Sequence, residues 1–200
     1  MMNKELLMKY GAELVHYKKD DFIFEEGMLP DNFYFICSGQ VKLNKFDASD
    51  ETKEFIYDIY SKGQFFGDPS IFLDLKYLCN AIAVNSANIL VLPKSDFLKM
   101  LKENQYLNSQ IHYVLSEKLY YQGVMAPIIS SQDAENRIMT LLNHFKDNSH
   151  CVLAKPSYEV DLTRQQIGDM TGLRVETVIR TIKRLKLNNK LRIIKGKIVL

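Results

Sequence analysis

The chain has 200 residues, of which 46% are hydrophobic and 25% charged, and its formal net charge is +2. This composition excludes a disordered or collagen-like chain, and no run approaches the roughly 20 apolar residues of a membrane-spanning helix. We expect a cytoplasmic protein of one large or two small domains, since the first residues lack the uninterrupted apolar stretch of a signal peptide.

Three cysteines, Cys37, Cys79 and Cys151, are widely spaced and form no C-x-x-C pair. An odd number of separated cysteines argues against a disulfide framework and against a zinc or iron–sulfur site. We therefore predict that they are small buried side chains and that the protein holds no metal.

Charge is distributed unevenly along the chain. Residues 155–200 carry eleven Lys and Arg against four Asp and Glu, a net charge of +7, which leaves −5 for the rest. A basic segment on an acidic body suggests binding to a polyanion, although a solvated basic face would have the same composition.

From about residue 12 to residue 93 the chain predicts a series of short β-strands. Phe, Tyr, Ile and Val are frequent, and several alternate with polar residues, in ELVHY, DFIFEEG, NFYFICSG, QVKLNKF, EFIYDIY and NILVLP. Gly27, Gly39 and Gly63 lie between these stretches, where turns need unusual backbone dihedral angles. Closely spaced short strands predict a small antiparallel jelly-roll barrel, which we assign to residues 1–98.

A long amphipathic helix is predicted from residue 94 to about residue 129. Its apolar residues recur at intervals of three and four. A helix of this length between two small domains favours pairing with a copy of itself, although it could also lie on its own barrel. Pro127 should kink or end it, and we assign residues 99–132 to a dimerisation helix and hinge. The predicted dimer contacts are Leu107, Ile111, Leu115, Leu119 and Ala126.

Residues 133–200 have the pattern of a winged helix-turn-helix. Asp133 is a candidate N-cap for one helix, and Thr163 with Gln166 forms a capping box for the next, which should end near Gly172. Another helix is predicted from about residue 175 to residue 186, and LRIIKGKIVL predicts the two strands of a wing. The fold class is therefore α+β: an N-terminal antiparallel β jelly-roll barrel, a long dimerisation helix and a C-terminal winged helix-turn-helix.

The second helix of the helix-turn-helix carries side chains suited to reading DNA bases. Arg180 can donate two hydrogen bonds to guanine, and Glu176, one turn earlier, can accept one from cytosine. The alternative is an ion pair between these two side chains on a solvated surface. The predicted base contacts are Arg174, Glu176, Thr177 and Arg180; the predicted phosphate contacts are Thr163, Arg164, Gln165, Lys183 and Lys197.

The stretch LTRQQIGDMTGLRVETVIRTIKRL resembles the DNA-binding segment of the CRP/FNR family of bacterial transcription regulators. FIFEEGMLPDNFYFICSGQVKL is similar to the family's barrel strands, GQFFGDPSIF to its effector-pocket segment, and residues 107–129 to its dimer helix. The resemblance implies a homodimer on double-stranded DNA, with half-sites about 34 Å apart, and RNA polymerase as a partner if the protein activates transcription. It also implies that Glu176 and Arg180 read the G·C pair of a TGA-like core. Val175 and Ile179 differ from the base-reading residues that relatives have at these positions, so the identity of the flanking bases is left open.

The resemblance also implies an effector pocket, whose signal is unknown. Nucleotide-binding members have a Gly-Glu pair followed by an Arg-Ser pair that holds the cyclic phosphate; Gly67 and Asp68 match the first pair, but the second is absent. A buried phosphate without a cation costs several kcal/mol, so we predict that cyclic AMP does not bind and that the pocket is vestigial or takes another small molecule. The candidate pocket residues are Gly67, Asp68, Lys76, Tyr77, Leu78, Cys79 and Gln122. Lys76 could reach inward as a substitute cation, although a solvated lysine on a loop is the favoured alternative.

Other cofactors and other functions have little support in the sequence. The family's oxygen-sensing branch uses an amino-terminal cysteine cluster, and no cysteine precedes Cys37, so no iron–sulfur cluster is expected. The spacing of the four histidines does not favour haem, and no catalytic fingerprint indicates an enzyme. The alternative function is a protein-interaction module whose winged helix does not contact DNA.

Overall fold

The computed structural model describes residues 3–130, 133–147 and 157–200, with the backbone alone at residues 51 and 52. It divides into two compact units, Met1–Val114 and Leu115–Leu200. These are called the first and the second unit below. Residues 131–132 of the predicted hinge, and Cys151, lie outside the described residues.

The first unit is built from two antiparallel sheets and short helices. In chain order its elements are α1 (Lys4–Lys9), β1 (Glu13–Tyr17), β2 (Phe22–Phe24), β3 (Asn32–Ser38), β4 (Gln40–Asp47), β5 (Asp50–Ser61), β6 (Phe65–Phe66), α2 (Asp68–Leu73), β7 (Asn80–Ala83), β8 (Ala87–Pro93), α3 (Lys94–Glu103) and the start of α4 (Gln105–Ser130). The strands form two four-stranded sheets, in the orders β1-β8-β3-β6 and β2-β7-β4-β5.

Aromatic side chains from both sheets meet in one core. The buried cluster includes Phe24 of β2, Tyr34 of β3, Tyr60 of β5, Phe66 of β6 and Tyr77 from the loop before β7. Burying a large apolar side chain contributes about 1.5–3 kcal/mol, so this cluster is a main source of the unit's stability. The predicted jelly-roll fold is confirmed, as two facing sheets rather than one closed barrel.

The strand predictions hold where apolar and polar residues alternate. Strands β1, β3, β4, β5 and β8 lie within or across the stretches that were predicted to be extended. The prediction omitted β7, all four of whose residues are buried, because a fully buried strand has no alternation to detect.

The long helix is interrupted at Asn104. Helix α3 ends at Glu103, and the Oδ1 atom of Asn104 accepts a hydrogen bond of 3.1 Å from the backbone N–H of Leu107, which caps a new helix. The prediction of one helix from residue 94 was therefore wrong. Helix α4 contains Pro127 and continues to Ser130.

Two of the predicted dimer contacts on α4 are not available to a partner. Leu107 and Ile111 are each only 1% exposed within the single chain, so their side chains already belong to its core. Leu115 is half-buried, whereas Leu119 and Ala126 are exposed. The prediction of partner contacts at Leu107 and Ile111 was therefore wrong.

The second unit contains the rest of α4 and a winged helix-turn-helix. Its further elements are α5 (Ala134–Asp147), β9 (Glu159–Val160), α6 (Arg164–Thr171), α7 (Val175–Leu187), β10 (Arg192–Ile194) and β11 (Lys197–Val199). Asp133 caps α5, since its Oδ1 atom accepts hydrogen bonds of 3.0 and 3.2 Å from the N–H groups of Glu135 and Asn136. The predicted wing is confirmed as the hairpin β10–β11, to which β9 adds a third strand.

The core of the second unit lies between its helices. The largely buried side chains are Ile138, Leu141 and Leu142 of α5, Ile167 and Met170 of α6, and Val178, Ile182 and Leu185 of α7. Because these recur at helical spacing, each helix buries one face and leaves the other to solvent. Within the described residues, no helix is both long enough and apolar enough to cross a membrane.

Candidate nucleic-acid interface

A tight turn sets the angle between α6 and α7. The capping box is formed: Thr163 Oγ1 accepts from the N–H of Gln166 at 3.1 Å, and Gln166 Oε1 accepts from the N–H of Thr163 at 2.8 Å. Gly172 ends α6 with a φ of 67°. At Gly168 a Cβ atom would lie 2.7 Å from the carbonyl oxygen of Leu173, so the approach of the turn to α6 requires glycine.

Helix α5 holds both helices of this pair. The Glu135 carboxylate accepts from Arg184 Nε at 2.6 Å and from Lys190 Nζ at 3.3 Å, and these bonds lower the pKa of Glu135. Arg137 Nη1 donates to the carbonyl of Thr171 at the end of α6, at 3.1 Å. Glu135 and Arg137 were not among the predicted site residues, because their partners lie 34 to 55 positions away and no local pattern marks them.

The outward face of α7 is a charged surface with one shallow concavity. The residues that line this concavity are Glu176, Ile179, Arg180, Lys183, Arg184 and Leu187. Glu176 and Arg180 are both exposed, one turn apart, and among the described residues neither forms an ion pair. The intrahelical ion pair considered as an alternative is not formed, so both groups can bind an external partner.

The other two predicted base contacts sit at the start of α7. Arg174 is the exposed N-cap residue, and its carbonyl accepts from the N–H groups of Thr177 and Val178. Thr177 is half-buried. The structure thus brings all four predicted base-reading residues onto the first turns of one helix, which is the part that enters the major groove in helix-turn-helix proteins.

The five predicted phosphate contacts have different surroundings. Arg164 Nη2 donates to the carbonyl of Gly196 in the wing turn at 3.2 Å, and partial burial lowers the pKa of this guanidinium. Gln165 donates to Asp169 at 2.8 Å, and Lys197 Nζ pairs with Asp161 at 3.0 Å. Thr163 is the cap described above, and Lys183 is exposed on α7 and has no ion pair within the described chain. Arg164 therefore positions the wing.

Aromatic rings pack against Gly67 in the first unit. Gly67 has a φ of 81°, and a Cβ atom there would lie 3.3 Å from Phe24, 3.4 Å from Tyr77 and 3.5 Å from Tyr34. The rings of Phe24 and Tyr77 are stacked, with centroids 3.7 Å apart. A side chain at position 67 would therefore meet these three rings, which pack against the glycine backbone.

Tyr77 is the centre of this packing. Its ring is 4% exposed, its hydroxyl donates to the carbonyl of Asn32 at 3.3 Å, and burial raises its pKa. Asp68 is fully buried at the start of α2, and its charge is another cause of the raised pKa of Tyr77.

The remaining candidate pocket residues lie apart from this packing. Lys76 and Leu78 are exposed, and Cys79 is half-buried, with burial raising the pKa of its thiol to about 11. Gln122 is exposed on α4 in the second unit.

Comparison with known proteins gives two domain matches and relatives of known role. The family described as "Cyclic nucleotide-binding domain" matches residues 14–104, and the "Crp-like helix-turn-helix domain" matches residues 136–200. The transcriptional activator protein Anr of Pseudomonas protegens is 25% identical over 183 residues, 91% of this chain and 72% of that protein. The nitrogen fixation regulation protein FixK of Bradyrhizobium diazoefficiens is 22% identical over 187 residues, 93% of this chain and 77% of that protein.

The chain is a DNA-binding transcription regulator of the CRP/FNR family. The structure of FixK2 from Bradyrhizobium japonicum has the same fold, with a TM-score of 0.78 at 21% identity over 94% of this chain and 92% of that one. The family resemblance seen in the sequence is confirmed, and the matched relatives are transcription regulators, as predicted, rather than enzymes.

Two further sequence predictions concern cysteines and metals in this CRP/FNR chain. Cys37 and Cys79 are half-buried free thiols rather than fully buried side chains, so their predicted burial was only partly right. Among the described residues, no three His, Cys, Asp or Glu side chains come together in a way that could hold a metal ion.

Proposed function

We propose that this CRP/FNR regulator binds DNA as a homodimer, and that Glu176 and Arg180 of each copy read the G·C pair of a two-fold symmetric site with a TGA-like core. The observation that carries this proposal is the pair itself, exposed one turn apart on α7 without an ion pair between them. Arginine can donate two hydrogen bonds to guanine O6 and N7, and a carboxylate can accept from cytosine N4. Together the two side chains can recognise both bases of one pair.

The framework around α7 supports this reading. Glu135 fixes α7 to α5 through Arg184, and Arg164 fixes the wing to the start of α6. A fixed recognition helix loses little conformational freedom on binding, which favours specific contacts. The net charge of +7 over residues 155–200, with Lys183 and Arg174 beside the base-reading pair, supplies attraction to phosphates.

The exposed face of α4 supports the homodimer. Tyr106, Tyr113 and Tyr120 are seven residues apart and 64%, 66% and 77% exposed. The small residues that lie between them, at the same spacing and also exposed, are Ser109, Ser116 and Gly123. A seven-residue repeat of large and small side chains is the pattern of a two-stranded coiled coil, in which each large side chain fits a hole on the partner. We call these six residues the tyrosine seam.

The neighbours of the tyrosine seam also fit a second copy of the chain in parallel orientation. In such a pair the position before one tyrosine faces the position four residues after that tyrosine on the other helix. This would place His112 near the partner's Glu117, and Leu119 near the partner's Val124, so polar meets polar and apolar meets apolar. The seam replaces the predicted contacts at Leu107 and Ile111, which are buried.

Gly123 has no evident role in the single chain. A Cβ atom there would meet nothing within 4 Å, yet glycine inside a helix costs about 0.5–1 kcal/mol relative to alanine. Close approach of a partner helix explains a glycine at this position, since a side chain would keep the two backbones apart.

The first unit supports regulation by something other than cyclic AMP. Two pairs of residues can stand in place of the family's Arg-Ser pair: the buried Tyr77 with the exposed Leu78, or Leu78 with Cys79. None of these side chains supplies a cation. The rings of Phe24, Tyr34 and Tyr77 are buried and pack against Gly67. A cyclic phosphate bound there would have no cationic partner among these residues.

Charge reversal at Arg180 tests the DNA proposal. Purified protein is used to select duplexes from a random library, and binding of the best duplex is followed by fluorescence anisotropy. Arg180→Glu should weaken binding at least about 100-fold, because a bidentate contact is lost and a negative charge faces the groove in both half-sites. Lys99→Glu, which makes the same charge change on an exposed residue of α3, is the matched control and should have a small effect.

The protein-interaction module is the other reading that this experiment addresses. If no sequence is enriched by the wild-type protein, or if Arg180→Glu binds the selected duplex as well as Lys99→Glu does, base reading by this helix is refuted.

Sedimentation equilibrium tests the homodimer separately. The wild type should have twice the chain mass of 23.2 kDa. Replacing both Tyr113 and Tyr120 by Glu should give a monomer, since two charges would be buried in the seam without partners. Tyr57→Glu, at an exposed aromatic residue of β5, should remain a dimer. A dimer that survives the double replacement would show that the seam is elsewhere.

A further inference from the structure

We propose that Glu135 of α5 positions Arg184 of α7 so that the guanidinium of Arg184 binds a phosphate of the DNA backbone. This inference rests on the proposed DNA binding by α7 and adds to it one phosphate contact and one positioning residue. Neither residue belongs to the base-reading pair, and both lie in the second unit.

The hydrogen bond to Glu135 uses only the Nε atom of Arg184. Nε donates to Glu135 Oε1 at 2.6 Å, and the side chain of Arg184 is still 60% exposed. Among the described residues, the terminal nitrogens Nη1 and Nη2 of Arg184 donate to no group. These two nitrogens form the end of a planar fork that fits the oxygens of a phosphate. One edge of the guanidinium is thus fixed, while the end that suits a phosphate remains exposed.

A second cation shares the Glu135 carboxylate. Lys190, in the segment between α7 and β10, donates from Nζ to Glu135 Oε2 at 3.3 Å. Two positive charges and one negative charge leave a net charge of +1 at this place. The group of three side chains therefore still attracts an anion.

Arg184 lies on the same side of α7 as Arg180, one turn closer to the end of the helix. Both residues line the concavity described above. Four helix positions correspond to about 6 Å along the axis. The first turns of a recognition helix contact base edges, and contacts to phosphates fix its register on the duplex. We therefore place the phosphate contact of Arg184 beyond the base pair that Arg180 reads.

Glu135 has two effects of opposite sign on DNA binding. A carboxylate beside a DNA-binding face repels phosphates, so by charge alone Glu135 would weaken binding. An unrestrained arginine samples many rotamers and loses much of that freedom when it binds. The bond from Glu135 removes part of this freedom before DNA arrives, which favours binding. Because the signs differ, an experiment can separate the two effects.

The salt dependence of DNA binding tests the contact of Arg184. The best duplex from the random library is titrated by fluorescence anisotropy at a series of KCl concentrations. Each lost phosphate contact reduces the slope of log affinity against log salt by about 0.9, so Arg184→Gln should reduce it by about 1.8 in the dimer. Affinity should also fall at least about tenfold. Lys186→Gln removes the same charge from an exposed residue of α7 outside the concavity, and should keep the wild-type slope.

Glu135→Ala tests the positioning role. Charge alone predicts tighter binding by this variant, whereas loss of positioning predicts binding about three- to fivefold weaker. Glu135→Gln should bind at least as well as the wild type, because its amide oxygen can still accept from Arg184 Nε. When Arg184→Gln is already present, Glu135→Ala should weaken binding no further, which a double-mutant cycle measures. The melting temperature of each variant shows that it is folded in the assay.

The outcomes separate this inference from the proposed base reading. A slope for Arg184→Gln equal to that of Lys186→Gln would mean that the pair only holds α7 against α5. Binding by Glu135→Ala as tight as that of the wild type, or tighter, would likewise overturn the inference, and in both cases base reading by Glu176 and Arg180 stands. If the random library gives no enriched sequence, the proposed DNA reading fails and this inference fails with it.

Discussion

The first unit and the helix-turn-helix differ in the exposure of their central candidate binding residues. In the first unit, Tyr77 is buried and stacked on Phe24, against the glycine that borders the family's nucleotide pocket. On α7, Glu176 and Arg180 are exposed and make no ion pair within the described chain. Both regions match their domain families, and in our proposal the first unit keeps the fold without the nucleotide site, whereas α7 keeps both fold and site.

The contrast follows from the physical needs of the two ligands. A nucleotide needs a concave space and a cation for its phosphate, and the proposed loss of cyclic AMP binding rests on the missing cation. A DNA duplex needs a helix that protrudes from the protein and carries polar side chains able to reach the edges of the bases. Substitutions would therefore affect the nucleotide site of the first unit and the DNA-reading face of α7 in different ways. Each site has to be judged from its own residues.

The largest predicted effect on this comparison comes from removing a ring of the aromatic core in the first unit. Tyr77→Ala removes a ring that is almost fully buried, which should lower the free energy of unfolding by about 3 kcal/mol, measured by urea denaturation. Tyr57→Ala, at an exposed ring of β5, should change it by less than about 0.5 kcal/mol.

The same preparation of wild-type protein tests whether the space is closed to nucleotides. Cyclic AMP at millimolar concentration should leave the melting temperature unchanged. A rise of several degrees would show binding and would contradict the closed pocket.

A second prediction concerns a half-buried titratable group of the second unit. His144 of α5 stacks on Tyr121 of α4 with ring centroids 3.2 Å apart, and burial lowers the pKa of His144 to about 4. The folded chain therefore keeps this ring neutral, while the unfolded chain takes up a proton below a pH of about 6.5. Stability is fully present above that pH and should fall by about 1–2 kcal/mol as the pH drops to 4, after allowance for partial solvation.

His144→Phe isolates this contribution, since phenylalanine keeps the stacked ring and cannot titrate. The free energy of unfolding of this variant, measured between pH 7 and pH 4, should fall less steeply than that of the wild type. Equal slopes would show that His144 is not responsible.

The smallest predicted effect lies on α4, the helix that runs from the first unit into the second. Gly123→Ala should stabilise the isolated helix by about 0.5–1 kcal/mol, because alanine has the higher helix propensity. In the dimer the added Cβ should enter the tyrosine seam and weaken association, as measured by sedimentation. The control is Gln122→Ala, at an exposed residue beside the tyrosine seam, which should leave association unchanged. If the Gly123→Ala dimer is as tight as that of the wild type, Gly123 is not part of the tyrosine seam.

The sequence predicted those parts of the molecule that depend on local patterns. The capping box at Thr163 and the αL glycine at Gly172 are local signals, and both are found where they were predicted. The alternating strands are likewise local. The start of α4 at Asn104 was not predicted, because the apolar spacing continues through the break and only the side-chain cap reveals it.

The parts that sequence reasoning could not give depend on distant contacts. The bond from Arg164 to the carbonyl of Gly196, 32 residues away, was not foreseen, and the phosphate contact of Arg164 stays a prediction. Leu107 and Ile111 were predicted to face a partner, yet they are buried within the chain. Apolar periodicity identifies a helix face but does not say which neighbour covers it. The residue types that replace the family's Arg-Ser pair likewise did not show that the ring of Tyr77 would be buried near Gly67.

The packing of rings against Gly67 also constrains the history of this protein. Leu78→Arg alone would add a cation at an exposed position and leave the packed rings in place. Making room beside Gly67 would require the loss of Tyr77 or Phe24, and either loss is destabilising before any ligand can compensate for it. If control by cyclic AMP is lost as proposed, descendants of this chain would therefore acquire a new signal more easily at another surface than by return to a nucleotide pocket.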